Sequence, residues 1–190
     1  AGLCLNKGKL IDRFYARVMF PIHNLSGHVI AFGGRTLRTD KKIAKYINSP
    51  ESEIYHKSKI LYGIYQSKKE IVNQDTCLLV EGYTDVVSLH QAGVENVVAS
   101  SGTSLTVEQI RLIRRYTSNI NILYDGDAAG IKASFRGINL ILEEGMNVKV
   151  VLFPDGEDPD SYSKKVDSDE LKEFIGEQAQ DFITFKTNLL

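Results

Sequence analysis

The spacing of apolar positions changes near residue 60, and the change divides the chain into two differently built regions. Before it, "RVMFPI" and "HVIAFGG" are short β-rich runs joined by "HNLSG", whose Asn, Ser and Gly suit a turn, so 17–34 is predicted to form a hairpin. From Lys59 to Val72 the residues Leu61, Ile64, Tyr65, Ile71 and Val72 recur at helical intervals, which predicts a helix. Strands and helices then alternate. "CLLVE" leads into a helix over "YTDVVSLHQA" closed by Gly93, and "NVVAS" into one starting near Thr106, where Thr106 and Gln109 fit a capping box. "NINILYD" precedes a helix that ends near Glu144 with Gly145 behind it, and "NVKVVLF" is the fourth strand. Short, near-continuous apolar strands separated by helices predict a parallel sheet covered on both faces.

The acidic residues fall where such a sheet collects its chemistry, beyond the C-terminal ends of the strands. Glu81 follows the first strand, Asp125 and Asp127 the third, and Asp155, Glu157, Asp158 and Asp160 the fourth. The second strand ends in "ASSGTS", a small-residue loop that suits a phosphate at the next helix or a plain connection. Taken alone, Asp-Gly-Asp is an ordinary turn sequence. Acids at several strand ends change that reading, because carboxylates crowded at one edge raise each other's pKa unless a cation intervenes. Mg²⁺ fits, since it takes oxygen ligands from one or two carboxylates and leaves room for waters and phosphates. A pair of such ions activates an attacking hydroxyl and stabilises a leaving phosphate oxygen. Gly126 permits the tight turn that aims Asp125 and Asp127 at one space.

Composition narrows the partners. With 190 residues, 43% hydrophobic and 25% charged, the chain has enough apolar material for a core of its own. No apolar stretch approaches the ~18 residues of a membrane span, and the apolar part of "AGLCLNKGKL" is too short for a signal peptide. Cys4 and Cys77 lack CxxC spacing and read as free thiols of a reducing compartment rather than a disulfide or a zinc site. The net charge of −1 hides a polarity. Residues 1–60 carry eleven Lys and Arg against four Asp and Glu, whereas the rest carry twelve against twenty. A basic N-terminal third suits a polyanion and an acidic remainder suits cations.

Taken in order, "RVMFPI", "GHVIAFGGR", "KYINSPES", "YHKSKILYGIY", "VEGYTDVV", "ASSGTSLT", "YDGDAAG" and "LFPDGEDPDSY" resemble the RNA polymerase core of bacterial DNA primases of the DnaG type, with its Toprim domain. The resemblance implies a basic N-terminal subdomain over 1–72, a Toprim domain over 73–166, and the start of a helical C-terminal subdomain over 167–190. It implies that Glu81, Asp125 and Asp127 bind metal, Mg²⁺ with Mn²⁺ as substitute, and that Asp85, Asp158 and Asp160 surround them. Arg17, Arg35, Lys45, Asn48 and Lys57 match a ridge that contacts template and incoming nucleotide. The implied activity is synthesis of short RNA primers on single-stranded DNA from ribonucleoside triphosphates, in the bacterial cytoplasm and away from membranes. Zinc-binding and helicase-binding domains belong to the whole protein and are not found in this sequence. Two alternatives stay open: a Toprim nuclease or topoisomerase piece using the same acids on phosphodiesters, and a non-catalytic nucleic-acid-binding module.

Overall fold

The computed structural model describes every residue except 1, 7, 40, 41, 103, 125–127, 155, 189 and 190, and of 6, 128–134 and 188 the backbone alone. Asp125, Gly126, Asp127, Thr103 and Asp155 thus lie outside the described residues.

The predicted hairpin forms. After a short ribbon of β1 (Cys4–Asn6) and β2 (Leu10–Asp12), β3 (Arg17–His23) pairs antiparallel with β4 (Val29–Thr36), which pairs with β5 (Tyr46–Asn48). The β3–β4 turn is organised by Asn24, whose Oδ1 accepts from the Ser26 and His28 amides at 3.0 Å each. Gly27 follows in the left-handed region at φ +86, where a side chain is disfavoured.

The helix expected over 59–72 is displaced. Lys57–Lys59 form a 3₁₀ turn, and α1 (Ile64–Gln74) begins only after an extended stretch. Within that stretch Tyr62 exchanges two backbone hydrogen bonds with Ala99, at 2.9 and 3.0 Å. Pairing with a strand satisfies both groups and overrides helical spacing there. The buried face of α1 is Ile64, Ser67 and Ile71, while Tyr65 and Val72 are exposed. Ser67 is tolerated because its hydroxyl donates to the Val97 carbonyl at 2.6 Å and lies 3.0 Å from His90 Nε2.

The parallel sheet is built from β6 (Cys77–Val80), β7 (Val97–Ala99), β8 (Asn119–Tyr124) and β9 (Asn147–Leu152). Between them run α2 (Tyr83–Gln91), α3 (Val107–Ile113) and α4 (Ala128–Glu143). The capping box at α3 is present: Thr106 Oγ1 accepts from the Gln109 amide at 3.2 Å, and Gln109 Oε1 from the Thr106 amide at 3.1 Å. Beyond β9 come α5 (Pro159–Tyr162), α6 (Ser168–Gln178), β10 (Gln180–Asp181) and α7 (Phe182–Asn188). The spatial order is β10, β9, β8, β6, β7, with β10 antiparallel at the edge. Because β7 lies on one side of β6 and β8 on the other, a crevice opens between the C-terminal ends of β6 and β8.

Each face of the sheet carries its own core. Ile110, Ile113, Ile138, Ile141 and Phe185 cover one, and Val86, Leu89, Leu171 and Ile175 the other. The segments after β9 therefore complete both layers. α5 is fastened to α2, since Ser88 donates to Asp160, which also pairs with Lys164 at 2.6 Å. Burial by itself raises the pKa of Asp160, but hydrogen bonds from Lys164 and Ser88, with the charges of Lys164 and Arg35, hold it below the usual carboxylate value. The antiparallel sheet joins the parallel one at Tyr83, which is buried, stacks on Phe20 with centroids 5.1 Å apart, and meets Tyr62 edge-on at 4.7 Å.

Leu171→Ala is expected to cost about 2–5 kcal/mol, the usual range for a buried leucine, in urea unfolding, with one transition retained. Asp160 sets a pH dependence. Its folded pKa is depressed, so its contribution is present above the unfolded value of about 3.9 and lost as pH falls through the lower folded value. Lys164→Ala should therefore be less stable than the parent at pH 6, and urea unfolding should show that gap closing as pH drops below about 4.

Candidate functional site

A cleft of about 640 Å³ lies over the crevice between the ends of β6 and β8. It is lined by Lys45, Tyr46 and Asn48 at β5 and by Glu81, Tyr83 and Asp85 at the β6–α2 turn. Ser101 and Gly102 after β7, Arg136 of α4 and Asp158 also line it.

The acids placed there differ in how they are held. Glu81 is exposed, and no side chain among the described residues hydrogen-bonds or pairs with it. Asp85 folds back on its own helix, Oδ2 accepting from the Gly82 amide at 2.9 Å, which fixes the start of α2 directly after Glu81. Asp158 caps α5, its Oδ1 accepting from the Ser161 amide at 2.6 Å. Asp160 is turned toward Ser88 and Lys164 and is not part of the cleft lining. Glu157 pairs with Lys165, whose hydrogen bond, followed by one from Ser161, lowers its pKa. In the sequence Asp125 and Asp127 come one and three positions after Tyr124, the last residue of β8, which pairs in the sheet with β6, the strand that Glu81 follows. Among the described residues no three Asp, Glu, His or Cys side chains converge to hold a metal ion. Those that reach the cleft are all carboxylates, donors that suit a hard divalent cation.

The basic ridge is partly committed to its own framework. The Arg17 guanidinium donates to the carbonyls of Gly34 and Lys45, at 3.2 Å each, and so ties β4 to the approach to β5. Arg35 and Lys45 both approach the ring of Tyr46, at 5.8 and 6.0 Å from its centroid. Lys57 lies outside the cleft in the 3₁₀ turn, where its amide donates to Glu51 at 3.0 Å and its carbonyl accepts from Gln109 at 3.1 Å. Asn48 has both ends of its amide engaged: Oδ1 accepts from the Tyr83 hydroxyl at 2.8 Å, and Nδ2 donates to the Ser101 carbonyl at 3.2 Å. Burial pushes the Tyr83 phenol above its usual pKa, which keeps it a neutral donor. Arg136 was not singled out from the sequence. A helix starting at Ala128 returns to one face at positions 132 and 136, so the signal was its spacing along α4.

Comparison with known proteins agrees with this architecture. Residues 1–68 match the family described as "DNA primase catalytic core, N-terminal domain", and residues 78–163 the "Toprim-like" family. DNA primase of Halalkalibacterium halodurans is 49% identical over 179 residues, which are 94% of this chain and 30% of that protein. DNA primase of Haemophilus influenzae is 45% identical over 183 residues, 95% of this chain and 30% of that protein. The E. coli primase catalytic core is similar along 100% of this chain and 61% of its own, with 42% identity and a TM-score of 0.88. The DnaG primase catalytic domain bound to ssDNA is similar along 100% of this chain and 62% of its own, with 41% identity and a TM-score of 0.88. The chain thus spans about 30% of the length of these curated relatives and about 60% of the solved cores. With both parts of the fold matched in order, the chain belongs to the family of DNA primase catalytic cores.

Proposed function

We propose that this chain forms the RNA polymerase core of a primase, which makes short RNA primers on single-stranded DNA for replication in the bacterial cytoplasm. The reading rests on one juxtaposition in a member of this family: Glu81, Asp85 and Asp158 line the same cleft as Lys45 and Asn48. Residues 1–72 would act as the basic portion, 73–166 as the Toprim unit and 167–190 as the start of a helical portion. A replicative helicase would be engaged through segments outside this sequence.

Glu81, Asp125 and Asp127 would hold Mg²⁺, or Mn²⁺ in its place, with Asp85, Asp158 and Asp160 around them. Bound there, the cation supplies charge stabilisation for the triphosphate and eases loss of the proton from the attacking hydroxyl. Arg35 and Lys45, with Arg17, Asn48 and Lys57, would hold template and triphosphate. A 3′-oxygen of the growing primer forms the bond to the α-phosphorus as the bond to pyrophosphate breaks. Phosphate contacts position the strands while base pairing supplies the sequence information. Asp160 acts at one remove in this reading, since its engagement by Ser88 and Lys164 fastens α5, and with it Asp158, to α2.

In the context of the full-length protein, since this portion alone is expected to prime weakly, incubation with single-stranded DNA, Mg²⁺ and labelled ribonucleoside triphosphates should yield short RNA. Glu81→Gln or Asp125→Ala should cut that yield more than about 100-fold, beyond the loss typical of outer-shell partners. Shortened DNA without RNA would instead mark a nuclease, and full yield from Glu81→Gln would sink the assignment. Lys45→Ala should weaken binding of single-stranded DNA and lower the slope of log affinity against log salt by about 0.7, the share of one phosphate contact.

A further inference from the structure

We infer that Asn48 is a positioning residue: from the antiparallel sheet it closes a hydrogen-bonded ring through Tyr83 and Ser101 that holds the turn presenting Glu81. The inference rests on the metal-binding reading of Glu81 given above and assigns to Asn48 a part distinct from contact with nucleotide.

The ring can be followed atom by atom. The Tyr83 hydroxyl donates to Asn48 Oδ1 at 2.8 Å, and Asn48 Nδ2 donates to the Ser101 carbonyl at 3.2 Å. The Ser101 amide in turn donates to the carbonyl of Glu81 at 3.1 Å. Gly82 and the backbone of Tyr83 close the circuit. Both arms from Asn48 therefore converge on the peptide that carries the Glu81 side chain, one through covalent bonds and one through the loop after β7.

Each member is held by something else. Asn48 opposes Gly33 in the β4–β5 register, and its own carbonyl accepts from Arg13 Nη2 at 3.1 Å. A Cβ on Gly33 would lie 2.5 Å from the Tyr83 ring, so one register pair both makes room for that ring and accepts its hydroxyl. Ser101 is buried at φ +53, a region uncommon for a residue with a side chain, with its amide and carbonyl both used in the ring. Glu81 lacks a side-chain partner among the described residues, so its direction is set by its backbone. Holding that backbone from a second sheet is the kind of outer support that tunes the affinity of a ligand for its metal.

Mn²⁺ binding to the chain, followed by the paramagnetic resonance of free Mn²⁺ well below the unfolding temperature, tests this. Asn48→Ala and Tyr83→Phe are each expected to raise the Kd about tenfold, as loss of outer support does elsewhere. The double variant should be no weaker than Asn48→Ala, because both changes open one ring. Ile175→Ala, on the buried face of α6, should lower the unfolding temperature and leave the Kd unchanged. Tyr83→Phe keeps the buried ring and carries the test if Asn48→Ala folds poorly. Parent-like Kd values for both single variants, or additive losses in the double variant, would overturn the inference while Glu81→Gln still binds weakly. Parent-like binding by Glu81→Gln is a different result, which removes the metal reading and the inference with it.

Discussion

The ring of Tyr83 is the piece on which the two sheets are fitted together. It leaves the first turn of α2, enters the antiparallel sheet at Gly33, and packs against Phe20 and Tyr62 in the offset and edge-on geometries that aromatic quadrupoles favour. Burying that ring stabilises the junction by the apolar area removed from water. The hydroxyl carried in with it needs a partner, because an unsatisfied buried donor costs about 1–3 kcal/mol. Asn48 is that partner. The apolar demand and the polar demand of one side chain thus fix where β5 lies relative to β6, and with it which basic and acidic residues face each other.

Electrostatics follow from that fit. In the sequence the excess of positive charge lies in the first sixty residues and the excess of negative charge in the rest; in the fold Lys45 and Glu81 line one cleft. The acids at the cleft are not equivalent. Asp85 and Asp158 use their carboxylates on helix starts, and Asp160, outside the cleft lining, is engaged by a hydroxyl and an ammonium. Glu81, at the end of a strand buried along its whole length, is the one the described framework leaves unengaged.

The sequence by itself determined the local elements. Fully apolar runs such as "CLLV" are specified as strands buried on both faces, Thr106 and Gln109 specify a helix start, and Gly93 and Gly145 specify helix ends, because each depends on neighbours within a few positions. The presence of carboxylates at strand ends was legible for the same reason. What only the tertiary structure decided are the features set by partners distant in the chain. Tyr62 leaves the helical pattern to pair with Ala99, Ser67 takes a buried position because Val97 and His90 receive its hydroxyl, and Gln180 and Asp181 come back as an edge strand against β9. The placement of β7 and β8 on opposite sides of β6 belongs to the same class, and so does the bond from Asn48 to Tyr83 across 35 positions. Period and propensity are properties of adjacent residues, whereas strand order and the satisfaction of a buried polar group are settled only when the whole chain has packed.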